Sequence, residues 1–251
     1  MKHLTMLHWE KTPSASYTYG SKIDYLSDGS ITFSNILQAP GTPLHEWQNL
    51  PATANHTPHN QIPLLTRGQT YAYHVAAEVE PKDSIAVNVS FMDENDHIIK
   101  QHYGQYLDGE FTMPIEASSY RIELLNINNT KLRFFSLFLA EAEVLQPLIV
   151  HEPIVNRLLH VHNDARSSGR EIIIMRQRIP AEFFSLSQAA DQYFLRVPAL
   201  VLEDDKAMND LAQQVYQAMH VSRDVPLHWR TPAYGVATAM KLCHDLFENN
   251  E

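Results

Sequence analysis

Four aromatic side chains sit where a ring could stack on the apolar face of a sugar. They are Tyr19, Trp47 in a Pro- and Asn-rich stretch, and Tyr103 and Tyr106 beside Gly104. A stacked ring supplies apolar contact while nearby polar groups bond the sugar hydroxyls. The same residue types also anchor cores and partner interfaces, and the sequence leaves both roles open. Asp93-Glu94-Asn95-Asp96 clusters oxygen ligands of the kind calcium takes. Its place between two strands reads better as a solvated hairpin tip. Two histidine pairs, His56/His59 and His160/His162, raise metal binding. The first lies in a polar loop with no third ligand nearby. The second is expected on a helix, where residues two apart point to different faces. No metal site is expected.

Glu203-Asp204-Asp205 followed by His228 gives the acid-then-histidine order found in the tail of an α/β-hydrolase. That chemistry needs Gly-x-Ser-x-Gly to present the serine on a strained turn. The chain has eight glycines and no such motif, and Ser167-Ser168-Gly169-Arg170 precedes a strand instead of following one. A glycine-rich phosphate loop is absent too. The expectation is no catalytic residue, no cofactor and no enzyme.

With 251 residues, 44% of them apolar and 19% charged, the chain can bury a real core in one large or two small domains. Its net charge of −10 and the lack of a basic stripe argue against nucleic acid and against polybasic membrane docking. No run approaches the roughly 20 apolar residues of a membrane span. The start, Met1 to Glu10, does not read as a signal peptide, so a cytoplasmic location is expected. Cys243 is the single cysteine, which leaves no internal disulfide.

From Tyr17 to about Leu139 the grammar is that of strands and turns. Asp28-Gly29 supplies a positive-φ turn before Ile31-Thr32-Phe33, and Arg67-Gly68 turns the chain into Tyr71, Tyr73 and Val75. Ile85, Val87, Val89 and Phe91 form one face of an alternating strand, as do Tyr120, Ile122 and Leu124. Asn128-Asn129 makes a turn before an apolar strand over 132–139. The segment 38–61 reads as one long loop. Trp9 is expected at a sandwich edge.

After Glu143 the pattern changes. Residues 155–163 are expected to be helical, 171–175 and 198–202 to be buried strands, and 203–220 an amphipathic helix started by Asp204 or Asp205. A short strand at 226–229 and a closing helix over 233–248 complete a small parallel α/β layer. The fold class is thus a two-part α+β chain. Residues 1–146 form an antiparallel β-sandwich of jelly-roll type, and 147–251 a small α/β domain with a docking role.

The first half resembles the third component of the accessory Sec export system of Gram-positive bacteria. The resemblance runs over about 9–143 and rests on Trp9, Tyr17-Thr18-Tyr19-Gly20-Ser21, Asp28-Gly29-Ser30-Ile31-Thr32-Phe33-Ser34-Asn35 and Trp47. It continues through Pro63-Leu64-Leu65-Thr66-Arg67-Gly68-Gln69-Thr70-Tyr71, Phe111-Thr112-Met113-Pro114 and Tyr120-Arg121-Ile122-Glu123-Leu124-Leu125-Asn126. It implies a non-enzymatic, carbohydrate-binding-module-like sandwich. The implied partners are the other accessory Sec proteins, the accessory SecA ATPase and a glycosylated Ser-rich-repeat adhesin whose glycans it could touch. Those partners would bring it to the inner face of the membrane. The resemblance carries no catalytic residue across, and it stops short of 147–251. The rival expectation is a freestanding carbohydrate-binding protein.

Overall fold

The computed structural model describes residues 2–10, 20–26, 28–50, 59–60, 62–151, 157–178, 181–219, 227–230, 236–237, 239, 241 and 243–245. The chain is mostly β and divides into two compact units. One takes His3–Gln146 with Ile179–Phe183, and the other Met1–Lys2, Pro147–Arg178 and Phe184–Glu251.

The first unit contains β1 (His3–Leu7), β2 (Lys22–Tyr25), β3 (Ile31–Ser34), β4 (Pro43–Leu50), β5 (His59–Asn60) and β6 (Thr70–Glu80). It continues with β7 (Ile85–Met92), β8 (Ile98–Gly104), β9 (Asp108–Thr112), β10 (Ser119–Asn126), β11 (Lys131–Glu141) and the short α1 (Ala142–Leu145). One antiparallel sheet centres on β11, which pairs β6 along one edge and β1 and β3 along the other. The other runs β5-β4-β10-β7-β8. Their inner faces share one core, as expected when alternating strands each present one apolar side.

The turn chemistry follows the residues. Gly29 and Gly68 hold positive φ, and Asp28 Oδ1 accepts the Ser30 amide at 2.9 Å. Asp93 Oδ1 accepts the amides of Asn95 and His97, closing the β7–β8 hairpin. These backbone bonds, His97 first, hold the Asp93 carboxyl below its usual range. Asn129 ties its turn to Ser84 Oγ at 2.7 Å and to the Lys131 carbonyl at 3.0 Å.

Two expectations fail here. The segment 38–61 is not one loop, because Pro43–Leu50 forms β4, pairing with the central β10. Its Leu44, His45 and Trp47 are buried, and that burial favours a strand where Pro, Thr and Asn suggest a loop. Trp9 lies inside the core, 5% exposed, not at an edge. It stacks on His45 at 4.6 Å and meets Phe134 edge-on at 5.7 Å. Trp47 closes the cluster against His45 at 4.5 Å and Phe134 at 5.6 Å, and donates its Nε1–H to the His8 carbonyl at 2.8 Å.

The second unit holds a mixed sheet in the order β12 (Leu148–His151), β13 (Leu158–Asn163), β16 (Asp191–Val197), β14 (Arg170–Arg176) and β17 (Leu227–Arg230). β14 runs parallel to β16 and β17, while β12, β13 and β16 pair antiparallel, so the sheet is not the all-parallel layer expected. Residues 158–163 form a strand, not a helix. Leu158, Leu159 and Val161 are buried on both faces of the sheet, and that burial outweighs a spacing equally good for a helix. The expected strand at 198–202 is instead the four-residue α2 (Ala199–Leu202), with Leu200 82% exposed. The strand lies just before it, at β16, where Gln192 and Arg196 interrupt the apolar signal although both are buried.

Between β14 and β16 the strand β15 (Ala181–Ser185) pairs beside β1, with Glu182 Oε2 2.8 Å from His8 Nε2. The helix α3 (Asp205–Met219) follows its expected pattern. Its Met208, Leu211, Ala212, Val215 and Met219 pack on Leu158, Ile172, Ile174 and Leu195. Asp204 starts it, with Oδ1 accepting the amides of Lys206 and Ala207 at 2.9 and 3.1 Å. The described residues of 237–245 are helical as well. Among the described residues no helix is long and apolar enough to cross a membrane.

Burial lowers the His45 pKa from 6.5 to about 3. The folded chain therefore keeps this imidazole neutral while the unfolded chain takes up a proton below about 6.5. Stability should be lost as pH falls through that window, by at most about 1.4 kcal/mol per pH unit from this group. Denaturant unfolding at pH 7 and pH 5 should show a smaller loss for His45→Phe than for the wild type. Equal losses would assign the effect to other histidines.

Candidate functional site

Strand register builds a polar cluster on the outward face of the five-stranded sheet, with Asn88, Ser90 and Glu123 buried at its centre. Ile122, Leu124, Val87, Val89, His45 and Trp47 point into the core, so their neighbours on each strand point out. Across β4, β10, β7 and β8 the register aligns Glu46, Glu123, Asn88 and Tyr103 in one row. The next row is Gln48, Arg121, Ser90 and Gln101.

The centre of this face is tightly bonded. Asn88 Nδ2 donates to Glu123 Oε2 at 2.7 Å and to Ser90 Oγ at 3.1 Å, while Gln101 Nε2 reaches Ser90 Oγ at 3.1 Å. Arg121 lies between two carboxylates, 3.8 Å from Glu46 and 3.7 Å from Glu123. Those distances give charge attraction but exceed a hydrogen bond. The Arg121 Nε–H has no acceptor among the described residues. Burial raises the Glu46 pKa, and Arg121 only partly offsets it. Asn88, Ser90 and Glu123 are buried and bonded to one another, so the groups this face presents outward are the half-buried Glu46 and Arg121, the exposed Gln101 and the Tyr103 ring.

Tyr103 ends one row at 50% exposure, and Tyr106 follows at 63%. Trp47 does not join them. It is 1% exposed and faces the core, one residue out of phase with the outward Glu46 and Gln48. Tyr19 and His56 lie outside the described residues, as does the side chain of His59. Sequence reading missed Glu46, Glu123, Asn88 and Arg121. Their signal was the polar half of each alternating strand, legible only once the pairing of four strands is known.

The acid-then-histidine order does not assemble as a catalytic pair. The Asp204 carboxylate caps α3, and His228 is exposed on β17. The structure does bring His160 and His162 together. Both meet Asp191 Oδ1 at 2.8 Å, because on a strand residues two apart share a face. Burial lowers the His160 pKa against the pull of Asp191. Burial works to raise Asp191, yet its bonds to His162 and His160 outweigh that and hold it low.

The sequence pattern of the accessory Sec secretory system ASP3 family matches residues 16–141. The chain belongs to that family. It is 29% identical over 133 residues to the accessory Sec system protein of the same name from Staphylococcus aureus, covering 53% of this chain and 41% of that one. It is 30% identical over 129 residues to the corresponding protein of Streptococcus gordonii, covering 50% of this chain and 79% of that one. The aligned part thus spans less than half of the staphylococcal relative. A chain of the Glycosylation Associate Protein (Gap123) complex from Streptococcus agalactiae is similar in fold, with a TM-score of 0.54 at 19% identity. That match covers 96% of this chain and 75% of the other.

Gly104, the residue after Tyr103, packs on Tyr73. The buried Tyr73 ring presses its hydroxyl against Gly104 and Gly109, and a Cβ on either glycine would overlap it. The hydroxyl has no hydrogen-bond partner among the described residues, and burial, with Asp108 nearby, pushes its pKa up to about 12. Gly104→Ala should cost about 1–3 kcal/mol by overpacking. Tyr73→Phe removes the hydroxyl that the added methyl group would strike, and should restore the melting temperature in the double variant. Gly109→Ala should resist the same rescue, since its Cβ would also lie 2.8 Å from Tyr73 Cε1. Equal rescue of both would refute this packing.

Proposed function

We propose that the chain is a non-enzymatic component of an accessory Sec secretion complex. It scaffolds partner proteins for export of Ser-rich-repeat glycoprotein adhesins, and its jelly-roll, carbohydrate-binding-module-like sandwich contacts their glycans. The observation that carries this reading is the polar outward face of the five-stranded sheet, bordered by Tyr103, on a member of this family. The similar Streptococcus agalactiae chain comes from a multi-protein complex, and the proposal carries that setting over. The partners would be the other accessory Sec proteins and the accessory SecA ATPase, met in the cytoplasm at the inner face of the membrane. Residues 1–146, with β15 added beside β1, supply the sandwich, and the rest of 147–251 acts in docking. Among the early aromatic candidates, Tyr103 and Tyr106 are exposed to meet a ligand or partner. Trp47 serves the core.

Binding energy at such a face concentrates in a few side chains. A stacked ring is worth about 0.5–1.5 kcal/mol beyond area burial. A freestanding carbohydrate-binding protein is the second reading, favoured by the same Tyr103 row.

Co-expression with the other accessory Sec proteins should yield a complex that survives size-exclusion chromatography. A chain that stays monomeric and partnerless would overturn the scaffold role. Calorimetric titration with adhesin glycopeptide should weaken severalfold in Tyr103→Ala with the melting temperature unchanged. Trp47→Ala should instead cost about 3–5 kcal/mol of stability. Unaltered glycopeptide affinity in Tyr103→Ala would remove the glycan contact, and full sugar affinity by the lone chain without complex formation would favour the second reading.

A further inference from the structure

The second unit presents a side-chain cluster that the secretion role does not use. On β13, His160 and His162 project from the face that also carries Leu158, and Leu158 packs under α3. Antiparallel register sets Asp191 of β16 opposite His162 and Tyr193 opposite His160. Both imidazoles reach a single carboxylate oxygen, His160 through Nε2 and His162 through Nδ1, each at 2.8 Å. One ligand atom from each of the three lies within 4.8 Å of the others. We propose that His160, His162 and Asp191 form a binding site for a divalent transition metal of the zinc class.

The donor set suits that class. Imidazole nitrogens with one carboxylate bind Zn²⁺ at about 2.0–2.2 Å, and soft thiolates are not required. Tetrahedral coordination places ligand atoms about 3.3 Å apart, so the 2.8 Å contacts need open by only a few tenths of an ångström. Three protein ligands leave a fourth position for water or a partner's side chain.

The surroundings fix the rings independently of the cluster's own bonds. His160 is stacked between His151 at 4.9 Å and Tyr193 at 4.4 Å, nearly parallel to both. His162 Nε2, the nitrogen not aimed at Asp191, lies 3.3 Å from Asp164 Oδ1. A carboxylate behind a ligating histidine is the usual device for setting its tautomer and raising its basicity. The three side chains are 15%, 32% and 27% exposed, which allows entry from solvent yet shields the site from full hydration. Arg170 is the Cα partner of Asp191 on β14 and holds its guanidinium over Tyr193 at 5.9 Å. Two carboxylates, Asp191 and Asp164, offset that one cation and favour the incoming metal.

The test uses the full chain stripped by chelator. Calorimetry with Zn²⁺ alone should show one tight equivalent, and Co²⁺ should give the visible absorption of an imidazole-ligated tetrahedral ion. His162→Ala should weaken binding by more than the about 10–100-fold that loss of an outer carboxylate costs. Asp164→Asn should weaken it within that range, and the exposed His3→Ala should leave it intact. Zn²⁺ should raise the melting temperature of the wild type and not of His162→Ala. If His162→Ala folds poorly, His160→Gln carries the same expectation. No uptake by the wild type, or uptake and cobalt spectrum equal in the wild type and both histidine variants, would overturn the proposal.

Discussion

Packing of Trp47 against His45 and Phe134, with Trp9 on the far side of His45, holds β4 in one register against β10, and the outward face of the sheet follows from that. The side-chain period of a strand is two, so a slip of one residue would send Glu46 and Gln48 into the core and Trp47 into solvent. Burying a carboxylate and an amide without partners would be strongly unfavourable, and the lost indole burial would add to it. The indole hydrogen bond to the His8 carbonyl adds a directional constraint to an otherwise non-directional apolar contact. Burial of His45 beside the two indoles favours its neutral ring, which links the same core to pH.

Charge on the outward face is held in a partly buried cluster. Arg121 lies between two acids at distances too long for hydrogen bonds, and its buried Nε–H meets no acceptor among the described residues. Asn88 and Ser90 are bonded to Glu123 and fix its carboxylate in place. Those bonds satisfy polar groups whose burial would otherwise be costly. Tyr73 fills the space that two glycines leave, Gly104 at the end of β8 and Gly109 near the start of β9.

The sandwich was legible because its strands alternate cleanly and its turns carry Asp28-Gly29, Arg67-Gly68 and Asn128-Asn129. β4 was not, since Pro43, Asn49 and Pro51 give loop signals that only cross-strand burial overrides. The site was legible in half. Tyr103 announces itself by type, whereas Glu123 and Asn88 become a site only through the pairing of β10 with β7, a non-local fact. Trp47 shows the limit of residue type as a guide: a tryptophan in a polar segment fits a binding loop and a core anchor equally, and one residue of phase decides between them.

In the second unit, the same phase argument bears on chemistry. Val155, Leu158, Leu159 and His162 match a helical stripe, while Leu158, His160 and His162 match one face of a strand. On a helix, His160 and His162 would diverge and a metal would find no site. On β13 they converge on Asp191, a residue 29 positions from His162 and brought there by an antiparallel partner that Gln192 and Arg196 conceal from a hydropathy reading. Those two polar residues are buried on the opposite face of β16 from Asp191 and Tyr193, so the strand carries polar groups on both sides and escapes the usual signature. Whether the histidines can act together is thus settled by the secondary structure of six residues, and that structure is set by burial on both sides of the sheet.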